Sequence, residues 1–360
     1  MSTEVPADLS ADLGKAPRRR PWTNDLRTAR VVRFAISVTA AVAIAFAYEW
    51  PLSFLTPVFT AVFLALPTPA PTLGQALKNC WFVLEGFVLG LVFTLFLLPF
   101  PLIYIPALGL ILFRIFYLLN RGGSFWRVLM SLIAVLILPM LGQSHDVFPV
   151  GFSLYFILSG VLAVLFAILA HGLFPDPPGG PRLPSGPGAM PGYSKVAALA
   201  ALKSTLVVLP IAVLFITMEW TGEILVMVFA AIFSLSPEIS KGRVAARNSL
   251  TSTFIGGFAA LVFYWLIVAV PEFHFFIALM LLTALLFGQV IFAGGPLAKY
   301  LPSAFVAVVI LVGGSMGEGA DIAEKFIMRV LLISAAAVYI VAALSVLDRF
   351  FFMARETSEP

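Results

Sequence analysis

The chain alternates between long apolar stretches and short polar or proline-containing breaks. About 20 consecutive apolar residues form a helix long enough to cross the hydrocarbon core of a bilayer. The pattern predicts twelve such helices, of which the second and the eighth are short enough to be tilted or re-entrant. The expected ranges are 30–48, 52–67, 78–99, 102–119, 124–141, 151–173, 196–218, 221–236, 248–270, 273–294, 301–316 and 324–347.

One break is longer than the others and divides the chain into two halves. Residues 175–192 contain seven Pro and five Gly, a composition that cannot form a helix and is typical of a linker. We expect five segments in chain order: a cytoplasmic tail at 1–28, a first membrane repeat at 29–174, a cytoplasmic linker at 175–194, a second membrane repeat at 195–348 and a cytoplasmic tail at 349–360.

The two halves resemble each other when the chain is shifted by 170 residues, and by 173 toward the end of each half. The matched positions are Arg33 with Lys203, Glu49-Trp50 with Glu219-Trp220, Pro67 with Pro237, Gly86 with Gly256, Pro101 with Pro271, and Ala134-Val135 with Ala307-Val308. Each half contains an even number of spans, so both have the same orientation. This predicts an all-α protein of two parallel six-helix repeats, with a substrate site at their interface near mid-membrane.

Composition supports a membrane protein and excludes several other classes. Hydrophobic residues make up 61% of the chain and charged residues 11%, which leaves too little polar surface for a soluble enzyme or a disordered protein. The scattered charges do not form a nucleic-acid footprint. The single cysteine, Cys80, and three histidines predict no metal site, and no P-loop is present. We therefore expect neither an enzyme nor a cofactor.

The charges also predict the orientation in the membrane. With the N-terminus on the cytoplasmic side, only Lys325 and Arg329 of the 22 Lys and Arg residues fall on the outer side. This is the asymmetry of the positive-inside rule. Both termini are therefore expected to be cytoplasmic.

Glu85 is the main candidate for chemistry within the membrane. It lies seven residues past Lys78, so about 10 Å into the third span. An ionisable side chain at this depth is costly and therefore marks a candidate functional site. Three interpretations remain open: an ion pair with Arg114 or Arg33, a proton-coupling carboxylate, or an unpaired carboxylate facing water. The second half has Ile255 at the matching position.

Arg114, Arg33 and Lys203 are candidate sites for an organic anion, because a cation offsets the loss of the anion's hydration. Arg33 and Lys203 also suit the simpler role of topology anchors. Gly86 and Gly90, matched by Gly256 and Ala260, have the small-xxx-small spacing that allows two helices to approach closely.

These residues resemble the fusaric-acid-resistance and aromatic-acid-exporter permease superfamily. The resemblance rests on three features of each half, over roughly residues 26–348: a basic residue in the first span, a short Phe- and Ala-rich second span ending in Pro, and a polar entry into a Gly-containing third span. The corresponding residues are Arg30 or Arg33 and Lys203, Phe59…Pro67 and Phe229…Pro237, and Lys78-Asn79…Gly86 and Arg247-Asn248…Gly256. The chain lacks the large cytosolic domain of larger members and looks like the compact bacterial branch.

The resemblance implies proton-driven efflux of aromatic or other organic acids across the bacterial inner membrane. It also implies a periplasmic membrane-fusion partner, besides the lipid bilayer and the small organic anion itself. A homo-oligomer is a further possible assembly, whereas no nucleic-acid partner is expected. A passive organic-anion channel and a non-transporting membrane subunit of a larger efflux assembly remain the alternatives.

Overall fold

The computed structural model describes residues 26–66, 70–145, 147–176, 192–218 and 239–316, with single residues and short pieces between 324 and 346. Ten helices lie in this part of the chain. They are α1 (Leu26–Tyr48), α2 (Leu55–Ala65), α3 (Leu73–Leu97), α4 (Pro101–Asn120), α5 (Phe125–Ser144), α6 (Val147–Leu173), α7 (Lys195–Thr217), α8 (Ile239–Ala269), α9 (Phe273–Ile291) and α10 (Leu301–Met316).

These helices match ten of the twelve predicted spans. Eight of those described are long and apolar enough to cross a membrane, whereas Leu55–Ala65 and Leu301–Gly313 are shorter apolar segments. The predicted eighth span, 221–236, lies outside the described residues, and the residues described between 324 and 346 are helical. The chain is thus an all-α, polytopic membrane protein, and the count of twelve stays a prediction.

Local sequence signals explain where several helices begin. The side chain of Thr72 accepts a hydrogen bond from the Gln75 backbone N–H, and the Thr72 backbone N–H donates to the Gln75 side chain, which forms a capping box at the start of α3. Pro101 occupies the first position of α4, where its missing N–H costs nothing. Ser194 caps α7 by accepting from the Ala197 N–H.

Helices α1 to α6 are joined by short connections and run in alternating directions along the bundle, and α8 to α10 do the same. We call the end of the bundle at which α1 begins the near end, and the end at which α1 finishes the far end. At the near end the Arg121 side chain, after α4, donates to the Gly192 carbonyl, before α7. At the far end Gln143 of α5 donates to the Ile216 carbonyl of α7.

Helix pairing recurs between the two halves. Helix α3 packs along α5, and the equivalent helices α8 and α10 pack along each other. Two further pairs join the halves: α1 with α9, and α4 with α7. Each of these joins the first span of one half to the fourth span of the other, as expected for two similar repeats related by an axis along the bundle. We call these contacts the α1–α9 interface and the α4–α7 interface.

Candidate functional site

Glu85 forms an ion pair with Arg127, which lies near the start of α5. The Arg127 Nη2 group donates to Glu85 Oε1, and 30% of the Glu85 side chain and 37% of the Arg127 side chain remain exposed. The other carboxylate oxygen, Oε2, is buried and accepts no hydrogen bond from the described residues. The pair is therefore partly solvated, with one acceptor unused.

The prediction that Glu85 pairs with Arg114 or Arg33 is wrong, because its partner is Arg127. Helices α3 and α5 approach each other closely beside the pair. A Cβ atom added to Gly86 would lie only 2.9 Å from the Ser131 backbone nitrogen. Arg127 lies one turn before Ser131 and so comes level with Phe82, and its long side chain reaches along the bundle to Glu85.

The repeat contained a signal for this pair. Shifts of 170 and 173 place Ile255 and Tyr300 at the positions of Glu85 and Arg127. Neither charged residue is thus present in the second half, as expected of two residues that contact each other.

A second basic residue and an aromatic ring lie beside the ion pair. The Arg127 guanidinium carbon is 5.4 Å from the centroid of the Phe82 ring, and Lys78 Nζ is 5.7 Å from the same centroid. Both distances allow a cation–π interaction. The group around Glu85 therefore contains two cations and one carboxylate, and favours an anion at the near end.

Arg33 has a different environment from the one expected of a substrate ligand. It is 2% exposed, and its Nη1 group donates to Asp176 Oδ1 at 2.7 Å and to the Phe174 carbonyl at 3.2 Å. Asp176 follows α6, so the pair fastens the end of the sixth helix to the first. The charge of Arg33 is already matched, which supports a structural role. Asp176 does not stand out in the sequence because it lies inside the predicted linker.

Arg114 and Lys203 lie on the two helices of the α4–α7 interface. Arg114 is exposed, and no described side chain pairs with it. Lys203 is half-buried and has an interaction of its own. Among the described residues, no ion pair joins either cation to Glu85. The candidate cations do not form a single site.

The small residues lie at the tightest helix contacts. A Cβ atom added to Gly90 would lie 2.8 Å from Ala134 Cβ, and one added to Gly256 would clash with the Ala304 carbonyl oxygen. Ala260 is completely buried. Ser131 and Ala304 occupy matching positions in the two halves, so the same close contact is made twice.

A cavity of about 370 Å³ opens at the far end of the α4–α7 interface. It is lined by the last turns of α3, α5 and α7 and the first turns of α4. Each of the four helices contributes one polar residue to its lining: Thr94, Tyr104, Gln143 and Thr217. Thr94 and Tyr104 are each 2% exposed.

The cavity differs from the predicted substrate site in depth. It lies between the two halves, as expected, but within about two turns of the far helix ends rather than at mid-membrane. Sequence analysis did not single out any of its polar residues, because an isolated Thr, Tyr or Gln in an apolar helix is common and has no motif.

Comparisons with known proteins cover only part of the chain. A family model described as "Protein of unknown function (DUF2955)" matches residues 30–170. This range extends from α1 into α6 and includes Glu85 and Arg127. No curated protein and no solved structure matches the chain.

Proposed function

We propose that this protein is an efflux permease of the bacterial inner membrane that exports aromatic or other organic acids by proton-coupled secondary transport. In this proposal the near end, with both chain termini, faces the cytoplasm, and a periplasmic membrane-fusion protein receives the substrate. The all-α polytopic architecture and the cavity between two similar halves support a transport role.

The observation that carries the proposal is the Glu85–Arg127 pair within membrane-spanning helices. Arginine stays protonated at any physiological pH, so only the carboxylate changes its charge. When Glu85 is ionised, it neutralises Arg127. When Glu85 is protonated, the charge of Arg127 is unmatched and can attract an organic anion. Protonation thus raises the affinity of the near end for an anion and links the two binding events. Export driven by the inward proton gradient further requires that Glu85 releases its proton to the cytoplasm before the loaded protein opens to the far side.

The geometry of α3 and α5 supports a pathway from the ion pair to the cavity. Glu85 and Thr94 lie on α3, nine residues or about 14 Å apart along the helix axis. Arg127 and Gln143 lie at the two ends of α5. The same tightly packed pair of helices therefore connects the charged group at the near end with the polar cavity at the far end.

Reconstitution of the full chain alone into proteoliposomes tests the proposal. We expect an aromatic carboxylate to accumulate against its gradient when a pH gradient is imposed, and the accumulation to collapse with an uncoupler. Flux that only equilibrates the substrate indicates the passive channel. If flux is absent even with the fusion partner present, and cells tolerate neutral residues at Glu85 and Arg127, the non-transporting subunit is correct.

Three single variants assign the coupling. We expect Glu85→Gln and Arg127→Gln to reduce proton-driven flux at least tenfold. Lys299→Gln removes an exposed cation at the same end, between α9 and α10 and outside this group, and is the matched control, for which flux should stay within about twofold of wild type. Wild-type flux with unchanged proton dependence in Glu85→Gln would contradict the coupling role.

A further inference from the structure

We propose that Arg121 and Tyr117, at the near end of the α4–α7 interface, bind the carboxylate and the ring of an aryl-alkanoic acid, and that residues 192–194 of the chain itself occupy this site in the structure. We call these three residues the docked segment. The inference rests on the proposed function and deepens it, because it names a class of organic acid and the place where that acid is first bound from the cytoplasm.

The docked segment presents a carbonyl oxygen and an aromatic ring to α4. The Arg121 Nη1 group donates to the Gly192 carbonyl. The Tyr193 ring lies nearly parallel to the Tyr117 ring, with an angle of 22° between the planes and 6.4 Å between the centroids. The Ser194 backbone N–H donates to Tyr117 Oη at 3.1 Å. The segment therefore supplies an acceptor and a ring together, which are the two groups of an aromatic carboxylate.

The receiving residues on α4 suit a free acid better than they suit the docked segment. Tyr117 is half-buried and nearly parallel to the Phe113 ring, with 16° between the planes, and the Arg121 guanidinium carbon lies 5.8 Å from the Tyr117 centroid. A guanidinium group binds a carboxylate through two charge-assisted hydrogen bonds, whereas a peptide carbonyl is neutral and offers one oxygen. An aromatic acid therefore makes the same ring contact and a stronger contact with Arg121.

The charges around the site favour an anion. Among the described residues, no acidic side chain pairs with Arg121 or Arg114. Arg114 is exposed and lies three residues before Tyr117, so the two are neighbours on the surface of α4. A ring flanked by two cations without a carboxylate attracts an aromatic anion and disfavours an aromatic cation.

The docked segment is held by few contacts and is open to solvent. The Tyr193 side chain is 79% exposed. Gly192 has a φ of +95°, in the left-handed region that favours glycine, and no atom lies within 4 Å of the place where its Cβ would be. The segment therefore covers the site without being part of the packed core, and a ligand that binds more strongly displaces it.

The corresponding place in the α1–α9 interface is closed by packing instead. A shift of 170 matches Tyr117 with Phe287 and Arg121 with Ile291. Phe287 packs edge-on against Phe305 with centroids 5.5 Å apart, and Ile291 is buried. The combination of a cation and an accessible ring thus belongs to the α4–α7 interface, which also contains the cavity.

The covalent spacing within the docked segment limits the ligand further. Three atoms, the nitrogen, Cα and Cβ of Tyr193, separate the Gly192 carbonyl carbon from the ring. A ligand that reaches Arg121 and Tyr117 as the segment does therefore has a chain of three atoms between its carboxylate and its ring. 4-Phenylbutyrate has this length, whereas the carboxylate of benzoate is attached directly to the ring.

Equilibrium binding to the full chain in detergent, near neutral pH, tests the ligand class. We expect 4-phenylbutyrate to bind at millimolar concentration or below. 4-Phenylbutanamide keeps the ring and the length but has no charge, and should bind about tenfold more weakly. Benzoate lacks the spacer and hexanoate lacks the ring, and each should also bind about tenfold more weakly. No binding of 4-phenylbutyrate, or equal affinity for any of the three comparison compounds, would overturn the proposal.

Variants of the site and of the docked segment should change binding in opposite directions. Arg121→Gln removes the cation and should weaken binding of 4-phenylbutyrate about tenfold. Tyr193→Ser removes the competing ring, and Gly192→Ala disfavours the docked backbone. Each should tighten binding about two- to fivefold, because an occupied site lowers the apparent affinity. A gain in affinity cannot come from misfolding. The proposal is wrong if Tyr193→Ser does not tighten binding or if Arg121→Gln leaves it unchanged.

Two near-end residues of the second half provide matched controls. Arg247→Gln removes an exposed arginine of α8, and Tyr300→Ser removes a tyrosine that, like Tyr193, lies just before a helix. Both residues lie outside the α4–α7 interface, so both variants should bind 4-phenylbutyrate like wild type. A change in either control as large as that in Arg121→Gln or Tyr193→Ser would contradict the assignment of the site.

The binding assay separates this inference from the proposed function. Binding in detergent requires neither proton coupling nor a membrane. Binding of 4-phenylbutyrate with the expected variant effects, but without any transport, would support the site and contradict the permease. Proton-driven transport of another organic acid without binding of 4-phenylbutyrate would support the permease and overturn the site.

Discussion

The two interfaces between the halves have equivalent helices but different contents. At the far end of the α4–α7 interface is the cavity, an open space between the two helices. At the corresponding place in the α1–α9 interface, the Phe46 ring packs edge-on against Phe276 with centroids 5.0 Å apart. Phe263 packs against Phe276 at 5.8 Å. A shift of 170 matches Phe46 with Ile216, so a ring in one interface replaces an aliphatic residue of the cavity wall in the other.

Proline positions differ between the interfaces in the same way. Pro106, Pro139 and Pro210 lie inside α4, α5 and α7, each five to seven residues from the far end of its helix and so at about 8–11 Å depth. The matching residues are Phe276, Val312 and Ala40. An internal proline removes one helix hydrogen bond and allows a bend. All three helices with an internal proline contribute to the cavity.

The Glu85–Arg127 pair is likewise found in one half only. It lies on α3 and α5, and the equivalent helices α8 and α10 have Ile255 and Tyr300 at the matching positions. The comparison shows that similar helix packing has been kept in both halves, whereas the open cavity and the Glu85–Arg127 pair each occur in one place only among the described residues. We infer that one interface holds the molecule together and that the other provides the pathway.

The largest expected effect comes from making the first half resemble the second at the ion pair. The double variant Glu85→Ile with Arg127→Tyr removes both charges and leaves no unpaired ion, so the protein should fold. We expect proton-driven flux in proteoliposomes to fall about a hundredfold. Ile255→Val in the second half is the control and should transport like wild type. Substantial remaining flux would show that the asymmetry in charge is not needed for transport.

The next largest effect is on stability. It distinguishes the structural role of the Arg33–Asp176 pair from the transport role of the Glu85–Arg127 pair. Arg33→Met leaves Asp176 unpaired, and breaking a buried pair costs roughly 3–5 kcal/mol. Because 24% of Asp176 is exposed, we expect the lower end, about 3 kcal/mol, measured as loss of unfolding free energy in detergent. Flux per folded molecule should be unchanged. Loss of flux without loss of stability would instead assign Arg33 to the pathway.

Exchanging the contents of the two interfaces should give opposite results. Ile216→Phe places a ring in the cavity, as Phe46 does in the other interface. We expect flux to fall about tenfold with little loss of stability. Phe46→Ile should reduce stability by about 1 kcal/mol, because a half-buried ring is replaced by a smaller side chain, and leave flux unchanged. Thermal unfolding and flux of both variants check this. If Phe46→Ile alters flux as much as Ile216→Phe, both interfaces take part in transport.

The smallest effect is expected from the prolines. Pro210→Ala restores a hydrogen bond in α7 and should stabilise the helix while slowing flux about two- to fivefold. The measurement is initial flux rate together with thermal stability. Pro302→Ala, at the second residue of α10, is the control, since a proline in the first turn removes no helix bond. Unchanged flux in Pro210→Ala would show that bending of α7 is not needed.

Much of the fold was predictable because it depends on local composition. Long apolar stretches specify helices in a bilayer wherever they occur, and described helices matched ten of the predicted spans. The matched Gly86 and Gly256 spacings predicted a close helix contact in each half, and the structure has these contacts between α3 and α5 and between α8 and α10. Glu85 stood out because a charge within an apolar stretch is costly whatever its neighbours are.

Only the tertiary structure decided which side chains meet. Arg127 became the partner of Glu85, and Asp176 that of Arg33, because helix rotation and register set these contacts, and hydropathy reports neither. The cavity likewise depends on the ends of four helices that are far apart in sequence. The sequence by itself therefore determined that the chain is an all-α membrane protein with a charged residue in its third span. The tertiary structure decided that one interface is filled by rings and the other is left open, because packing depends on the shapes of facing side chains.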